Sequence, residues 1–225
     1  MKKIVLFLLL CTVIAPAFAQ ESKPVLEEKP SKEVEMIKLA NNLAKYGYEN
    51  FSALALIESA TMLNDVVTQE LDPISYEKEQ EDKEKTEKKA KPDFSVESLL
   101  ADAEKFADGN ENLLSLINEA KEKAATVTRG RVGGPGRQVS WVAGSSTDTY
   151  IIRFRANEYA EIYVSGDGDT DLDLYVYDSN GNLIVGDDDY TDECYVRWVP
   201  SWTGSYTVKI LNRGPVYNDY ILVTN

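Results

Sequence analysis

The spacing of apolar residues along the chain changes once, from a helical period to a strand period. After Glu33, apolar side chains recur at three- and four-residue steps, which is typical of a helix that buries one face. Two such stripes with a break near Gly47 predict a helical hairpin. Its apolar positions are Ile37, Ala40, Leu43 and Ala44, and then Ala53, Leu54, Ile57, Ala60 and Leu63.

A similar hairpin recurs about sixty residues later. Residues 113–120 match residues 53–60 in their apolar pattern, and Asp108, Gly109 and Asn110 supply the turn. Because one hairpin cannot bury its own apolar stripe, the two are expected to pack together. The pattern predicts a four-helix unit over residues 33–127.

After residue 138, apolar and polar residues alternate, as in strands that are buried on one face. Turn residues separate these runs at intervals that suit seven or eight antiparallel strands in two sheets. The chain is therefore predicted to be α+β in separate domains, with N-terminal helical hairpins and a C-terminal antiparallel β-sandwich over residues 138–225. The inward positions include Tyr150, Ile152 and Phe154; Leu172, Leu174 and Val176; Cys194, Val196 and Trp198; and Tyr206, Val208 and Ile210.

Three polar segments flank or join these units. Residues 20–32 are rich in Lys, Glu and Pro and predict a disordered leader. Residues 77–92 hold six acidic and six basic residues and predict a solvated linker within the helical domain. Residues 128–137 are rich in Gly and Arg and predict a hinge.

Residues 1–19 have the pattern of a secretory signal peptide. Lys2 and Lys3 precede an apolar run that is too short to span a bilayer, and Ala17-Phe18-Ala19 forms a cleavage site. We therefore expect an exported protein, periplasmic or extracellular. Because the signal carries two lysines and no acid, its removal would bring the formal charge from −14 to −16, which disfavours nucleic acid as a partner.

Histidine and paired cysteines are both lacking from the predicted mature chain. The sequence contains no histidine, which excludes Ser-His and Cys-His nucleophiles and imidazole metal ligands. Cys194 would be the only cysteine left after signal cleavage, so no internal disulfide forms. It is expected either as a small buried residue or in a bond between chains.

The C-terminal part resembles the bacterial pre-peptidase C-terminal (PPC) domain family. The resemblance is carried by residues 171–184 (DLDLYVYDSNGNLI), by Asp187-Asp188-Asp189, by residues 202–210 (WTGSYTVKI) and by residues 218–222 (NDYIL). It implies a jelly-roll-like sandwich that usually sits behind a secreted protease and that, in some collagenases, binds calcium and substrate. No upstream peptidase domain is present in this chain, so the resemblance implies an accessory module.

Two acidic groups in the sandwich are candidates for a calcium site. Alternate aspartates from residue 167 to 173 share one face, and the next strand of the same hairpin ends in further aspartates. Calcium takes six to eight oxygens, but a solvated acidic edge that discourages sheet pairing explains the same residues. The candidate ligands are Asp171, Asp173, Asp187 and Asp188, followed by Asp167 and Asp169.

Tyrosines at outward positions are candidates for a binding surface. Tyr163, Tyr175, Tyr177 and Tyr195 alternate with the inward residues, so they are expected on the sandwich surface. Cross-strand pairing within the sheet also favours tyrosine and is the simpler interpretation of these residues. A glycan or protein partner is the expected ligand of such a surface.

The sequence favours a non-enzymatic binding or scaffolding protein with an accessory sandwich. One alternative is an inhibitor or chaperone-like partner of a secreted protease. Another is a carboxylate-based glycan hydrolase or lyase, although a bundle of this size offers little cleft for paired acids. The acids available to it in the helical unit are Glu49, Glu58, Asp65, Asp102 and Glu119.

Overall fold

A computed structural model describes residues 29–79, 94–126 and 134–225. The predicted signal peptide, most of the leader, residues 80–92 of the linker and residues 128–133 of the hinge lie outside the described residues. The described helices are α1 (Lys32–Glu49), α2 (Ala53–Asp65), α3 (Val96–Phe106) and α4 (Glu111–Thr126). None of them is long and apolar enough to cross a membrane.

Each helix begins at a polar residue that caps it. The hydroxyls of Ser31, Ser52 and Ser95 accept the N–H of the residue three positions later, and the Asn110 side chain accepts from the first turn of α4. Such caps satisfy N–H groups that have no partner within the helix, which explains where the four helices start.

The helices pack as the hairpin pattern predicts, with α2 in contact with the other three. Gly47 allows α1 to approach α2, because a Cβ atom there would lie 2.5 Å from the Leu56 side chain. The two hairpins are not equivalent in detail. Leu39 is 58% exposed, whereas its counterpart Leu99 is fully buried.

The strands form a double-sheet jelly roll. The order of the two sheets is β1-β3-β10-β5-β8 and β2-β4-β9-β6-β7, and neighbouring strands are antiparallel except β1 with β3. We call the first of these the helix-covered sheet and the second the open sheet. The strands are β1 (Gln69–Glu70), β2 (Ser75–Lys78), β3 (Gly136–Val142), β4 (Thr147–Phe154), β5 (Ala160–Gly166), β6 (Leu172–Tyr177), β7 (Leu183–Asp187), β8 (Glu193–Trp198), β9 (Gly204–Asn212) and β10 (Asn218–Thr224).

The predicted inward residues form the core between the two sheets. The runs that begin at Tyr150, Leu172, Cys194 and Tyr206 are all buried. Cys194 is a free thiol, and its Sγ lies 3.0 Å from the Leu172 carbonyl oxygen. Burial raises the pKa of this thiol, so Cys194 is a packing residue in the core.

Part of the predicted linker is instead a strand of the sandwich. Glu77 and Lys78 belong to β2, which pairs with β4. Tyr76 explains the difference, because its ring stacks on Tyr150 at 4.3 Å and its hydroxyl donates to Asp148 at 2.7 Å. One inward aromatic residue therefore anchors a segment whose other side chains are polar. The predicted hinge ends early in the same way, because Gly136 starts β3.

The turn at Asp178 forms with one positive φ. Gly181 has a φ of +82°, which suits a residue without a side chain. The Asp178 carboxylate accepts the side-chain amide of Asn182 at 2.9 Å and the backbone N–H groups of Asn180 and Asn182, each at 2.8 Å. These bonds lower the pKa of Asp178 and hold the turn.

The helical unit packs against the outer face of the helix-covered sheet. Tyr163 of β5 and Ile221 and Val223 of β10 are buried in one cluster with the helix residues. The open sheet carries exposed polar residues on its outer face, such as Arg153 and Lys209.

Candidate functional site

A row of polar contacts holds α1 along the helix-covered sheet. Lys38 Nζ lies 3.6 Å from Glu193 Oε1, and the Asn42 amide donates to the same oxygen at 3.3 Å. Lys45 Nζ lies 3.3 Å from Asp192 Oδ1. Because residues 38, 42 and 45 are four and three positions apart, they share one face of α1. The acids at the start of β8 therefore position this helix.

Glu161 of β5 anchors the N-terminal end of the same helix. Both of its carboxylate oxygens lie 3.0 Å from the Ser31 N–H, and Arg197 Nε lies 3.1 Å away. Arg197 also donates to the Lys29 carbonyl oxygen at 2.7 Å. A carboxylate at this place is stabilised by the unpaired N–H groups and the dipole of the helix.

A cleft of about 460 Å³ lies between the C-terminal end of α1, Phe94 in the segment before α3, and the helix-covered sheet. This volume is within the range of small-ligand sites. Its lining includes Lys45, Tyr48, Glu49, Phe94, Val139 and Ser165.

The helical wall of the cleft is aromatic. The Tyr48 and Phe94 rings are nearly parallel, with centroids 6.2 Å apart, and the Tyr48 hydroxyl donates to Asp102 at 3.0 Å. Phe106 lies against Tyr48, and Phe51 lies against Phe106 at 5.4 Å. Phe51 is 74% exposed and has a φ of +50°, which is rare for a bulky residue. The row of rings thus runs from the cleft to the turn of the first hairpin.

The sheet side of the cleft is acidic. Asp167 Oδ2 accepts the Asp219 N–H at 2.7 Å, and Asp192 Oδ2 accepts the Gly168 N–H. These bonds order the loop after β5. The lining as a whole includes four acidic residues and one lysine, of which Glu49 and Lys45 belong to α1 and the others are Asp167, Asp192 and Asp219.

Unpartnered polar atoms lie beside the cleft, where α1 covers β5. Asn41, Tyr163 and Ser165 are at most 2% exposed, and their side-chain polar atoms have no hydrogen-bond partner. The Tyr163 hydroxyl neighbours the side chains of both Ser165 and Asn41 without meeting hydrogen-bond geometry, and burial raises the pKa of Tyr163. A buried polar group without a partner costs about 1–3 kcal/mol. Of the three, Ser165 lines the cleft.

Asp173, a predicted calcium ligand, is paired with an arginine. Its carboxylate is 2% exposed and accepts from the Arg213 guanidinium and from the Tyr175 hydroxyl, the latter at 3.1 Å. The hydrogen bond and charge of Asp173 raise the pKa of Arg213. A cation from the chain itself therefore lies where the sequence predicted calcium.

Other predicted calcium ligands support the backbone or neighbouring side chains. Asp187 Oδ2 accepts the Tyr195 N–H at 2.8 Å, and Asp188 Oδ2 accepts the Tyr175 hydroxyl at 3.3 Å. Asp167 Oδ1 accepts the Asp169 N–H at 3.1 Å.

Asp171 differs from these acids. Its Oδ1 is buried without a hydrogen-bond partner, and its pKa is raised by burial and then by the charge of Asp173. Within the described ranges, however, no three acidic side chains are grouped so that they hold a metal ion. The acids do not fit a calcium ion as they stand, and calcium binding stays a prediction of the sequence.

The predicted tyrosine surface is divided between the two sheets. The expectation that Tyr163 and Tyr195 are exposed is wrong, because Tyr163 is fully buried and Tyr195 is half-buried against the helical unit. Lys38 Nζ lies 5.8 and 5.4 Å from their ring centroids, and burial raises the pKa of Tyr195 to about 12. Tyr175 and Tyr177 lie half-buried on the open sheet, with ring centroids 6.5 Å apart.

The acids considered for catalysis have separate surroundings on the helical unit. Asp65 pairs with Lys123 at 2.7 Å, and Asp102 pairs with Lys105 at 2.6 Å. Glu49 lines the cleft. The remaining two are exposed on helix surfaces, namely Glu58 and Glu119.

Sequence reasoning missed the cleft, because its two walls come from different domains. One signal was available, since the polar residues at positions 38, 42 and 45 mark a face of α1 that needs acidic partners. No sequence pattern identified Asp192 and Glu193 as those partners.

No protein-family model matches the sequence, and no curated protein sequence matches it. Similar solved structures include the pre-peptidase C-terminal domain of a Bacillus anthracis collagenase, at 15% identity and a TM-score of 0.34 over 42% of this chain and 92% of that one. Another is PliG of Aeromonas hydrophila, a periplasmic inhibitor of g-type lysozyme, at 14% identity and a TM-score of 0.32 over 40% and 84%. A third is a carbohydrate-binding module of Cellvibrio mixtus lichenase 5A in complex with cellotriose, at 10% identity and a TM-score of 0.26 over 43% and 89%.

Proposed function

We propose that this chain is an exported, non-catalytic binding protein whose ligand occupies the cleft between the helical unit and the helix-covered sheet. The cleft itself carries the proposal, since it combines a ligand-sized volume with aromatic residues in its lining.

The chemistry of the cleft supports binding rather than catalysis. The sequence has no histidine, and the Asp167 and Asp192 carboxylates accept backbone N–H bonds that order their own loop. A paired-acid mechanism needs two carboxyl groups at a defined separation across a substrate. In this proposal the acids of the cleft orient a ligand and do not transfer protons.

The sandwich is proposed to be a PPC-like accessory domain. Support comes from the order of the motifs in residues 171–222 and from the jelly-roll strand order that the resemblance implies. Export is proposed from the signal pattern of residues 1–19, with a protein or a glycan of the envelope or extracellular space as the partner.

The test is to fill the cleft and to measure ligand binding. Val139 and Leu183 are both 56% exposed, the first in the cleft and the second on the open sheet. Val139→Trp is expected to block the cleft, and Leu183→Trp is the matched control. The full chain is used, because β1 and β2 come from upstream of the sandwich.

The probes are acetyl-Gly-Xaa-Gly-amide peptides with every residue type at Xaa, together with neutral trisaccharides such as cellotriose, followed by calorimetry. The proposal predicts at least one ligand that binds the wild type and the control but not Val139→Trp. Binding that persists in Val139→Trp, or no binding by any probe, would contradict it.

A further inference from the structure

We infer that an apolar stripe on the outer side of α1 is a docking surface for the α1 helix of a second copy of this chain. The stripe consists of Met36, Leu39, Leu43 and Tyr46. Leu43 is half-buried, and the other three side chains are between 39% and 58% exposed. The inference is separate from the cleft and does not depend on a ligand there.

The spacing of the stripe is that of a seam between two helices. Steps of three, four and three residues place the four side chains on one face, as in the a and d positions of a coiled coil. The face that α1 buries in the helical unit is a different one, with residues such as Val34, Ile37 and Ala44. Helix α1 therefore carries two apolar faces, and the described part of the chain buries one of them.

The second hairpin shows what kind of element covers such a stripe. Positions 96, 99, 103 and 106 of α3 lie sixty residues after the four stripe positions and repeat their spacing. They hold Val96, Leu99, Ala103 and Phe106, which all belong to the helical core cluster or pack against it. Leu99 and Ala103 are fully buried, and α3 packs on α2 and α4. The matching occupant of the α1 stripe is therefore another helix.

The opposite end of the helical unit has a polar outer surface. Ser115 and Glu119 of α4 are exposed and lie sixty positions after Ala55 and Ser59, which are buried on α2. Along α4, which the structure describes in full, Leu116 is the one large apolar side chain that is exposed. A polar outer face is what ends a stack of helical hairpins in water. The α4 end thus has such a face, whereas the α1 end has an apolar stripe.

The stripe is complementary to its own copy when two α1 helices pack antiparallel. A two-fold axis at the level of Asn41 sets Leu39 opposite Leu43 of the second copy, and Met36 opposite Tyr46 of the second copy. This match arises because the stripe has the same spacing when it is read from either end. A contact of this symmetry uses the same surface on both copies and closes at a dimer.

Acidic residues beside the stripe determine how the contact should respond to salt. Glu35 and Glu49 are exposed along one flank of the stripe, and the antiparallel arrangement brings Glu35 of one copy towards Glu49 of the other. Each copy also has a formal charge of −14. Like charges therefore oppose the apolar contact, and salt that screens them should strengthen it.

The test is sedimentation velocity of the full chain from about 5 to 500 µM, since a short seam gives a small interface and a weak dimer. The inference predicts a shift from 25.2 kDa towards twice that mass as concentration rises. It also predicts stronger association as salt rises from about 50 to 500 mM. A chain that keeps the monomer mass throughout would overturn the inference and leave a helix of a different protein as the occupant.

Substitutions locate the contact on α1. Leu39→Glu places a carboxylate in the seam and is expected to weaken association at least about tenfold. Leu183→Glu is the matched control, because Leu183 is 56% exposed on the open sheet and Leu39 is 58% exposed. Met36→Glu repeats the test at a second stripe position, and circular dichroism confirms that each variant is folded. Association that survives both stripe substitutions, or that Leu183→Glu weakens equally, would contradict the inference.

A charge reversal tests the antiparallel arrangement. Glu35→Lys places a cation near Glu49 of the second copy at two symmetric positions and should tighten the dimer about threefold. Glu119→Lys makes the same change of net charge on an exposed position of α4 and is the control. An effect of Glu35→Lys that is no larger than that of Glu119→Lys would show that the two α1 helices do not pack in this way.

Discussion

The two sheets of the sandwich differ in how their outer faces satisfy polar side chains. On the open sheet, Asp173 is buried but fully paired with Arg213 and Tyr175. On the helix-covered sheet, Tyr163 and Ser165 are buried without partners, and a cleft adjoins them. The covered face therefore buries unpartnered polar atoms beside the cleft, whereas on the open face Asp173 is paired and the unpartnered atom is Asp171 Oδ1.

The acids of the sandwich accordingly have two kinds of role, which depend on the sheet that they are near. Acids near the open sheet stabilise the sandwich itself, as Asp187 of β7 does by accepting the Tyr195 N–H of β8 in the other sheet. Acids at the covered sheet position α1 or line the cleft, as Glu193 and Asp192 do. Substitutions should accordingly change stability on the open face and ligand binding at the cleft.

The largest effect is expected where the helical unit contacts the covered sheet. Tyr163→Ala removes a fully buried ring from the cluster shared with the helices, and it should lower the free energy of unfolding by about 3–5 kcal/mol. Tyr177→Ala on the open sheet is the control, with a loss of about 1 kcal/mol. Urea unfolding measures both. Equal losses would mean that the two faces are equally exposed in solution.

A smaller loss is expected from the paired acid of the open sheet. Asp173→Ala removes the acceptor of Tyr175 and Arg213, and it should cost about 2 kcal/mol of stability with or without calcium. Asp188→Ala, in an exposed position, should cost less than about 0.5 kcal/mol. Neither should alter binding at the cleft. A loss in Asp173→Ala only when calcium is present would show that the ion, not Arg213, is the partner of Asp173.

The buried carboxyl of Asp148 should make the stability of the protein depend on pH. It lies between the sheets, where Tyr76 and Tyr220 donate to it at 2.7 and 2.6 Å, and burial raises its pKa. The folded state therefore binds this proton more tightly than the unfolded state, so the contribution of Asp148 to stability decreases as pH rises through the folded pKa. Relative to Asp148→Asn, the wild type should lose stability from about pH 4 upward, measured by urea unfolding at several pH values. A constant difference between the two would refute the raised pKa.

The smallest effect should be a gain in stability. Burial and the charge of Asp173 raise the pKa of the Asp171 carboxyl, which means that its charged form is disfavoured in the folded protein. Asp171→Asn removes that charge, so the melting temperature at neutral pH should rise by a few degrees at most. The same substitution tests the predicted calcium site. A wild-type melting temperature that rises with calcium, and an Asn variant that does not respond, would support the ion. A lower melting temperature in Asp171→Asn without calcium would contradict the destabilising effect of the Asp171 charge.

The fold follows from the sequence where local spacing decides it. The inward residues of the sandwich were predictable because strand alternation places side chains on opposite faces. The hairpin turns were predictable from residues such as Gly109 and Gly181, which both have positive φ. The β2 strand was not, because its anchoring by Tyr76 depends on a ring stacked on Tyr150 seventy-four positions away.

The site was less predictable than the fold. Alternation places Tyr163 outside the core of the sandwich, but it does not indicate that helices cover that side. The same holds for Asp173 of β6, whose partner Arg213 lies forty positions later in the loop after β9. The sequence shows which face a side chain lies on, whereas packing of distant elements determines what the side chain contacts.

The most direct test of the cleft is NMR titration of the isotopically labelled full chain with the peptide and trisaccharide panel. Gly166 and Gly168 line the cleft, whereas Gly186 and Gly204 lie on the open sheet, so their amide signals report on the two faces separately. The account predicts that bound probes shift the signals of Gly166 and Gly168 and leave those of Gly186 and Gly204 in place. Probes that shift the open-sheet signals alone, or none of the four, would contradict it.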